Sequence, residues 1–416
     1  MLSDFYAHFN KSNIFVSSLV LIVALLPLSI MIGSLIINLS VIFICIFFLI
    51  IIFKYKEFHI FKDKFFILFL FFWLSLVLNL FFSTNFENSL TRTLGFFRFI
   101  LLVYAIKYCL NFNNEQYSKF IYKIWLIIFL IVTFDLIFEY FIGFNVLGFK
   151  SYMPGRLSGF LNQELKIGHF YSAFFLICSV FILMRYKNKK IYYFSLIIFL
   201  IVSLMIGERS NFLRVFSIVV MFLLITENIN LFKKFLILIL SIISISGIVM
   251  SNDNLKIRFY EQFLKPAVFE FDINYLINSN MYFANYDRAY KIFKKNKYFG
   301  VGLKNFRIES QKEIYKNENL KFNHQAHTTH PHQVHLEFLS ETGIFGYSCF
   351  IIFIIMSLWY SIKSYFVNKN FYLMASSLFL ILSIAPILPS GSFFTTYGAT
   401  LFWINFGIMV SNQKTK

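Results

Sequence analysis

Three arginines and a run of histidines are the side chains in this sequence best suited to chemistry. Arg156 lies in Pro154-Gly155-Arg156-Leu157-Ser158-Gly159, Arg209 in Gly207-Glu208-Arg209-Ser210-Asn211, and Arg288 in Tyr286-Asp287-Arg288-Ala289-Tyr290. His324, His327, His330, His332 and His335 close a long polar segment just before the chain turns apolar again. Guanidinium is planar, always charged and less strongly hydrated than ammonium, which suits it to holding phosphate through two parallel hydrogen bonds. A neutral imidazole that removes a proton from a hydroxyl fits a site already supplied with arginines, because nearby positive charge keeps it unprotonated. The plainer roles are interfacial arginines whose stems lie along apolar surface and a solvated polar loop. No acidic or cysteine ligand interleaves the histidines and no His-Glu-x-x-His pattern occurs, so neither a metal nor another cofactor is expected. His332 directly precedes the helix that follows the polar segment and has the best fixed position, with His330 in reserve. His335 would project from the first helical turn and could pair with Glu337 or Ser340.

The elements that must position these groups are set by composition. Of 416 residues 58% are hydrophobic, 21% aromatic and only 14% charged, more apolar surface than one soluble core could hide. The fold class is an all-α polytopic membrane protein. A formal charge of +18 would point to nucleic acid in a soluble chain. Here most Lys lie in short loops between apolar runs, where they mark the cytoplasmic side, and nucleic acid is excluded as a partner. Cys45, Cys109, Cys178 and Cys349 fall inside apolar runs without ligand spacing and read as small hydrophobes. The first apolar run is too long for a signal-peptide core and is kept as a span.

Ile14 to Phe53 is one apolar block with room for two helices around Gly33. Further spans are expected near Phe65–Phe82, Leu94–Leu110, Ile121–Ile142, Ile167–Met184, Ile191–Ile206, Phe212–Thr226, Phe235–Met250, Gly343–Ile362, Phe371–Leu388 and Tyr397–Val410, which makes about 12 transmembrane helices. Residues 1–250 would hold helices 1–9 with short loops, residues 251–334 one large outer loop, and residues 335–416 helices 10–12. The basic short loops, from Lys54 to Lys64 through Lys414 and Lys416, fall on one side, so both termini come out cytoplasmic and the arginines and histidines outer. Within the large loop, Met281–Lys295 has helical spacing and Gly300-Val301-Gly302 is a turn signal. Leu255–Phe271 is amphipathic and Phe-rich, as for a helix lying on the bilayer. Asp135 and Glu139 share one helical face, either as a proton pathway or, preferably, as one side of an ion pair with an arginine. Gly343-x-x-Gly346 is expected to serve close helix packing.

The segment from His330-Pro331-His332-Gln333-Val334-His335-Leu336-Glu337 through Gly343-Ile344-Phe345-Gly346 resembles the end of the large periplasmic loop in the O-antigen ligase and O-antigen polymerase superfamily of bacterial membrane glycosyltransferases. Gly207 to Asn211 resembles that family's arginine turn, and Asp287-Arg288 with Phe299 to Phe306 its second arginine and glycine turn. Arg156 to Asn162 with Gly168 is similar to a further outer-face motif. The resemblance implies a multi-pass protein of the bacterial inner membrane whose active site faces the periplasm. It implies metal-independent transfer of a glycan from undecaprenyl diphosphate, with inversion at the anomeric carbon. Arg209 and Arg288, with Arg156, would hold the donor diphosphate, and His332 or His330 would activate the acceptor hydroxyl. The acceptor would be lipid A-core sugar in a ligase, or a second lipid-linked glycan in a polymerase. The residue after His332 is commonly Asn in the family and is Gln333 here, a longer amide with a different reach.

A transporter or flippase for a polyisoprenoid-linked substrate is the competing reading, and it would place polar residues near mid-membrane rather than at one face. A non-enzymatic envelope partner would leave the arginines and histidines without a task.

Overall fold

The computed structural model describes residues 14–112, 116–162, 164–226, 230–279, 281–322, 328–386 and 388–413, and every regular element among them is helical. His324, His327, Lys414 and Lys416 lie outside the described residues. The long helices are α1 (Ile14–Ile32), α2 (Ser34–Tyr55), α3 (Lys64–Leu80), α4 (Phe86–Phe96), α5 (Arg98–Asn111), α6 (Gln116–Ile142), α7 (Ile167–Tyr186), α8 (Lys189–Met205), α9 (Arg209–Thr226) and α10 (Leu231–Ser251). They continue with α11 (Lys256–Phe269), α12 (Met281–Lys295), α13 (Val334–Asn368), α14 (Phe371–Ser383) and α15 (Thr396–Ser411). Asp63, Asn85, Asn188, Asn370 and Thr395 cap the helices that follow them, each accepting a first-turn amide that would otherwise lack a partner.

Eight helices are long and apolar enough to cross a membrane, among the described residues; they include Phe86–Asn111, in which α4 and α5 run together. Each of the twelve expected spans coincides with a helix, but α3, α8, α14 and α15 are shorter, at 17, 17, 13 and 16 residues. The bundle is packed by aromatic rings. Phe69 meets Trp403 edge-on at 5.2 Å, Phe72 stacks near Phe353 at 5.6 Å, and Phe338 stacks on Phe350 at 3.9 Å, so α3, α13 and α15 share one core. Some polar groups inside pair with nearby carbonyls, as an apolar surround favours: Trp125 donates to the Val23 carbonyl at 3.1 Å and Ser179 to that of Phe175 at 2.9 Å.

Two glycine crossings fix the loops at one end. In α13 the helix breaks at Gly343 (φ 63°, ψ −171°). The turn Lys297–Gly302 docks into the break: Val301 and Gly302 amides donate to the Ser340 and Glu341 carbonyls at 3.0 and 2.8 Å, and Ile344 and Phe345 amides to those of Lys297 and Tyr298 at 2.8 and 3.1 Å. A Cβ on Gly300 or Gly343 would overlap the backbone of the other strand of the crossing. Gly343 therefore admits a loop rather than a neighbouring helix, and Gly346 faces the side chain of Thr342 on its own helix. The helix-packing expectation for this glycine pair is corrected accordingly.

At the second crossing Gly207 (φ 75°) runs against the carbonyl of Gly155, and the Leu157 amide donates to the Ile206 carbonyl at 3.1 Å. The loop carrying Gly155 is held from below by the acidic pair of α6. Asp135 accepts from the Val146 amide at 2.9 Å, and Glu139 accepts from the Ser158 and Gly159 amides at 3.0 and 2.7 Å. The pair thus binds backbone amides instead of an arginine, because buried carboxylates are satisfied by whichever donors the fold brings.

Candidate active site

The second crossing assembles a group of arginines. Arg156 forms an ion pair with Glu208 at 2.7 Å and donates to the Leu165 carbonyl at 2.7 Å. One residue on, Arg209 opens α9 and donates to the carbonyl of Arg258 at 3.2 Å, while Arg258 on α11 donates to the Gly207 carbonyl at 3.1 Å. Its stem lies over Gly155, where any side chain would displace it. Burial, Arg156 and Arg209 together push the Arg258 guanidinium down to about 10. Three cations held this close repel one another, and an anion bound among them would relieve that repulsion.

Tyr282, at the start of α12, connects this group to the histidines. It lies within electrostatic reach of Arg209 and Arg258, and its ring is 4.9 Å from that of His332. The His332 and His330 rings are 4.1 Å apart. His169, at the start of α7, is likewise within reach of Arg156 and His330. Arg156, Arg209, His330 and His332 therefore gather at one end of the bundle.

His332 has φ 59°, a left-handed conformation that non-glycine residues rarely adopt. Its neighbours account for that. The His332 carbonyl accepts from the Ser390 amide at 2.9 Å, and the Gln333 side chain caps α13 by accepting from the Leu336 amide at 2.7 Å while its Nε2 donates to the Pro386 carbonyl at 3.0 Å. The longer amide of Gln333 thus spans two elements. Arg214 braces the same segment from α9, donating to the carbonyls of Leu382 (at 3.2 Å) and Pro389 and to Asn211.

Burial pushes His332 down to about 4, and burial together with His332 and Arg307 pushes His330 down to about 3. Both imidazoles are neutral at pH 7 and able to accept a proton. For His332 the cause is burial rather than the arginines expected from sequence. His330 Nδ1 meets Thr329 Oγ1 at 3.0 Å, whereas its Nε2 is buried without a hydrogen-bond partner.

His335 is placed differently from expectation: its Nδ1 meets the Tyr347 hydroxyl at 2.9 Å and its Nε2 the Ile384 carbonyl at 2.7 Å. A carbonyl only accepts, so Nε2 carries the proton and Nδ1 accepts from the tyrosine, a structural role. Arg288 also stands apart from the arginine group. It is 1% exposed, donates to the Ser310 carbonyl and has Glu313 and Asp287 as charged neighbours. Burial lowers its guanidinium pKa, and the two carboxylates raise it. Its surroundings are the small core of the large loop, where Ala289, Ile292, Val301, Phe306 and Tyr315 pack together.

Arg258 and Tyr282 were missed in the sequence. The first reads as an interfacial base on an amphipathic helix, and the second as one aromatic among many. Among the described residues no three His, Cys, Asp or Glu side chains converge in a way that could hold a metal ion. No curated protein matches the chain. Residues 194–351, which carry Arg209, Arg258, Tyr282, both neutral histidines and the Gly343 break, match the family model described as O-antigen ligase.

Proposed function

We propose that this protein is a membrane glycosyltransferase that moves a glycan from undecaprenyl diphosphate to a lipid A-core sugar at the periplasmic face of the bacterial inner membrane. The observation that carries the reading is Tyr282, whose ring lies 4.9 Å from that of His332 and which is within electrostatic reach of Arg209 and Arg258, so that a phosphate-binding cation group stands near a neutral base. His332, with His330 beside it, takes the proton of the acceptor hydroxyl as that oxygen attacks the anomeric carbon. The bond from that carbon to the diphosphate breaks on the opposite face, its electron pair leaves on the diphosphate oxygen, and configuration inverts. Arg209, Arg156 and Arg258 neutralise the leaving diphosphate, which is already a good leaving group and needs charge stabilisation more than covalent help. Arg288, buried within α12, holds the core of the large loop that carries Tyr282, donating to the Ser310 carbonyl. Residues 1–250 and 335–416 form the membrane portion, and residues 251–334 the periplasmic loop, with both termini cytoplasmic. No metal takes part.

The test is glycan transfer in membranes containing EDTA, with lipid A-core as acceptor, comparing the native chain with His332→Ala, Arg209→Ala and Arg288→Ala. The reading expects transfer that survives EDTA and falls by at least ~100-fold in His332→Ala, the size of a lost general base. Lengthening of the lipid-linked glycan instead would make the protein a polymerase. Absence of both reactions would leave the transporter.

A further inference from the structure

A second group of cations lies within electrostatic reach of His330 and is unused by the chemistry above. The polar stretch before the membrane turn of α4 is stitched to the large loop: the Thr84 amide donates to the Val301 carbonyl at 2.9 Å, Ser89 to that of Leu303 at 2.9 Å, and the Asn305 amide side chain to the Asn85 carbonyl at 3.1 Å. Arg92 is one turn beyond Ser89 and so shares its face of the helix. Lys304 and Arg307 flank Asn305 and Phe306, whose backbone is anchored where the Phe306 amide donates to Glu341 at 3.2 Å. These contacts bring Arg92, Lys304 and Arg307 within electrostatic reach of one another, and Arg307 within reach of His330. All three are half-buried and open to solvent.

Their electrostatic situation is unusual. Among the described residues none of the three side chains makes a hydrogen bond or an ion pair, and Arg307 Nε is buried with no acceptor. The nearby carboxylates are committed elsewhere: Glu337 accepts from Ser392 and from the Phe393 amide at 2.8 Å, and Glu341 from Phe306. Glu341 and Glu337 lie within electrostatic reach of Arg92, and Glu341 of Arg307, but neither carboxylate accepts a hydrogen bond from the three cationic side chains. Buried donors without acceptors are rare, and half-buried cations whose own donors stay unpaired mark a place for an anion.

We propose that Arg92, Lys304 and Arg307 form a second anion site, which binds a phosphate carried by the acceptor glycan and so presents its hydroxyl to the histidine pair. The assignment rests on the donor occupying the Arg156, Arg209 and Arg258 group. Two cation groups near the histidine pair then match two substrates that each bear phosphate near the reacting sugar. The phosphate has two sources of the same chemistry: a phosphate monoester on core sugar, or the diphosphate of a second lipid-linked glycan.

Equilibrium binding to the full chain in nanodiscs separates these cases without needing turnover. The probes are lipid A-core with its phosphates, the same molecule after dephosphorylation, and undecaprenyl diphosphate-linked glycan, the last measured in an Arg209→Gln background that weakens the donor group. One phosphate-bearing probe should bind about tenfold tighter than dephosphorylated core, and Arg307→Gln should remove that advantage. Lys304→Gln, at a solvent-open position, should reduce it in the same direction and guards against misfolding of the Arg307 variant. Preference for the core phosphate, or for the lipid diphosphate, identifies the source. Equal binding of all three probes, with the lipid-linked glycan read in the Arg209→Gln background, or a preference that survives both substitutions, would overturn the site. If transfer proceeds while binding is indifferent to phosphate, the site falls and the glycosyltransferase reading stands. If binding prefers phosphate but nothing is transferred, the site stands and that reading falls.

Discussion

The two glycine crossings do the same job by different means. At Gly300 and Gly343 four backbone hydrogen bonds join the loop to the broken helix, and side chains contribute little beyond Asn79, which donates to the Phe299 and Glu341 carbonyls. At Gly155 and Gly207 a single backbone bond is supplemented by charged side chains, Arg156 with Glu208 and Arg258 with the Gly207 carbonyl. The first crossing sets where the large loop sits; the second sets where the arginines sit. Both crossings exclude a Cβ, at Gly207 because it runs against the Gly155 carbonyl, but only the second can also be adjusted one charge at a time.

Breaking the backbone seam should have the largest effect. Gly343→Ala places alanine in a region of φ and ψ that is open essentially to glycine alone, at a cost of about 3 kcal/mol before the overlap with Tyr298 is counted. Thermal unfolding in detergent should fall by several degrees, and the Val301, Gly302, Ile344 and Phe345 amides should lose hydrogen-exchange protection. Retained protection would show that the seam can shift to fit. Gly207→Ala should also lower stability, because its Cβ would overlap the Gly155 carbonyl, and by pushing the Gly155 loop away it should raise the donor KM by roughly tenfold, the effect of about 1.4 kcal/mol of lost positioning. An unchanged donor KM would separate the crossing from donor binding. Glu208→Gln should have a smaller effect, with donor KM rising a few-fold and growing more salt-sensitive as Arg156 loses its buried partner. The smallest expected effect is that of pH. Because burial holds His332 near 4, the proton that disables it binds only as pH falls toward that value. Transfer should stay flat from pH 8 down to about 5.5, where an imidazole with the ordinary value of ~6.5 would be mostly protonated. A midpoint near 6.5 would mean that His332 is solvated during turnover.

Much of the architecture was legible because hydropathy and helical period are local. α12 has the bounds expected from its spacing, and the arginine turn and histidine run stand where the apolar runs end. Features that depend on distant partners were not legible. The break at Gly343 lies inside an unbroken helical pattern and becomes visible only when the 297–302 turn inserts. Asp135 and Glu139 found amides rather than an arginine because the loop that follows α6 folds back over them, fixed where the Asn145 side chain donates to the Gly159 carbonyl, a path no helical period announces. Arg92 and Arg307 are 215 positions apart in the chain, and nothing local to either points to the other.

The backbone of His332 carries one more consequence. A left-handed conformation at a non-glycine residue costs the folded state on the order of 1 kcal/mol, and glycine would not incur it. Replacing His332 by glycine should therefore cost less thermal stability than replacing it by alanine, which keeps the strain while losing the same ring contacts with Tyr282 and His330, and neither variant should make product. With His332 as the base, the position sets robustness against activity: the strain its backbone carries is a cost in durability that only turnover would repay.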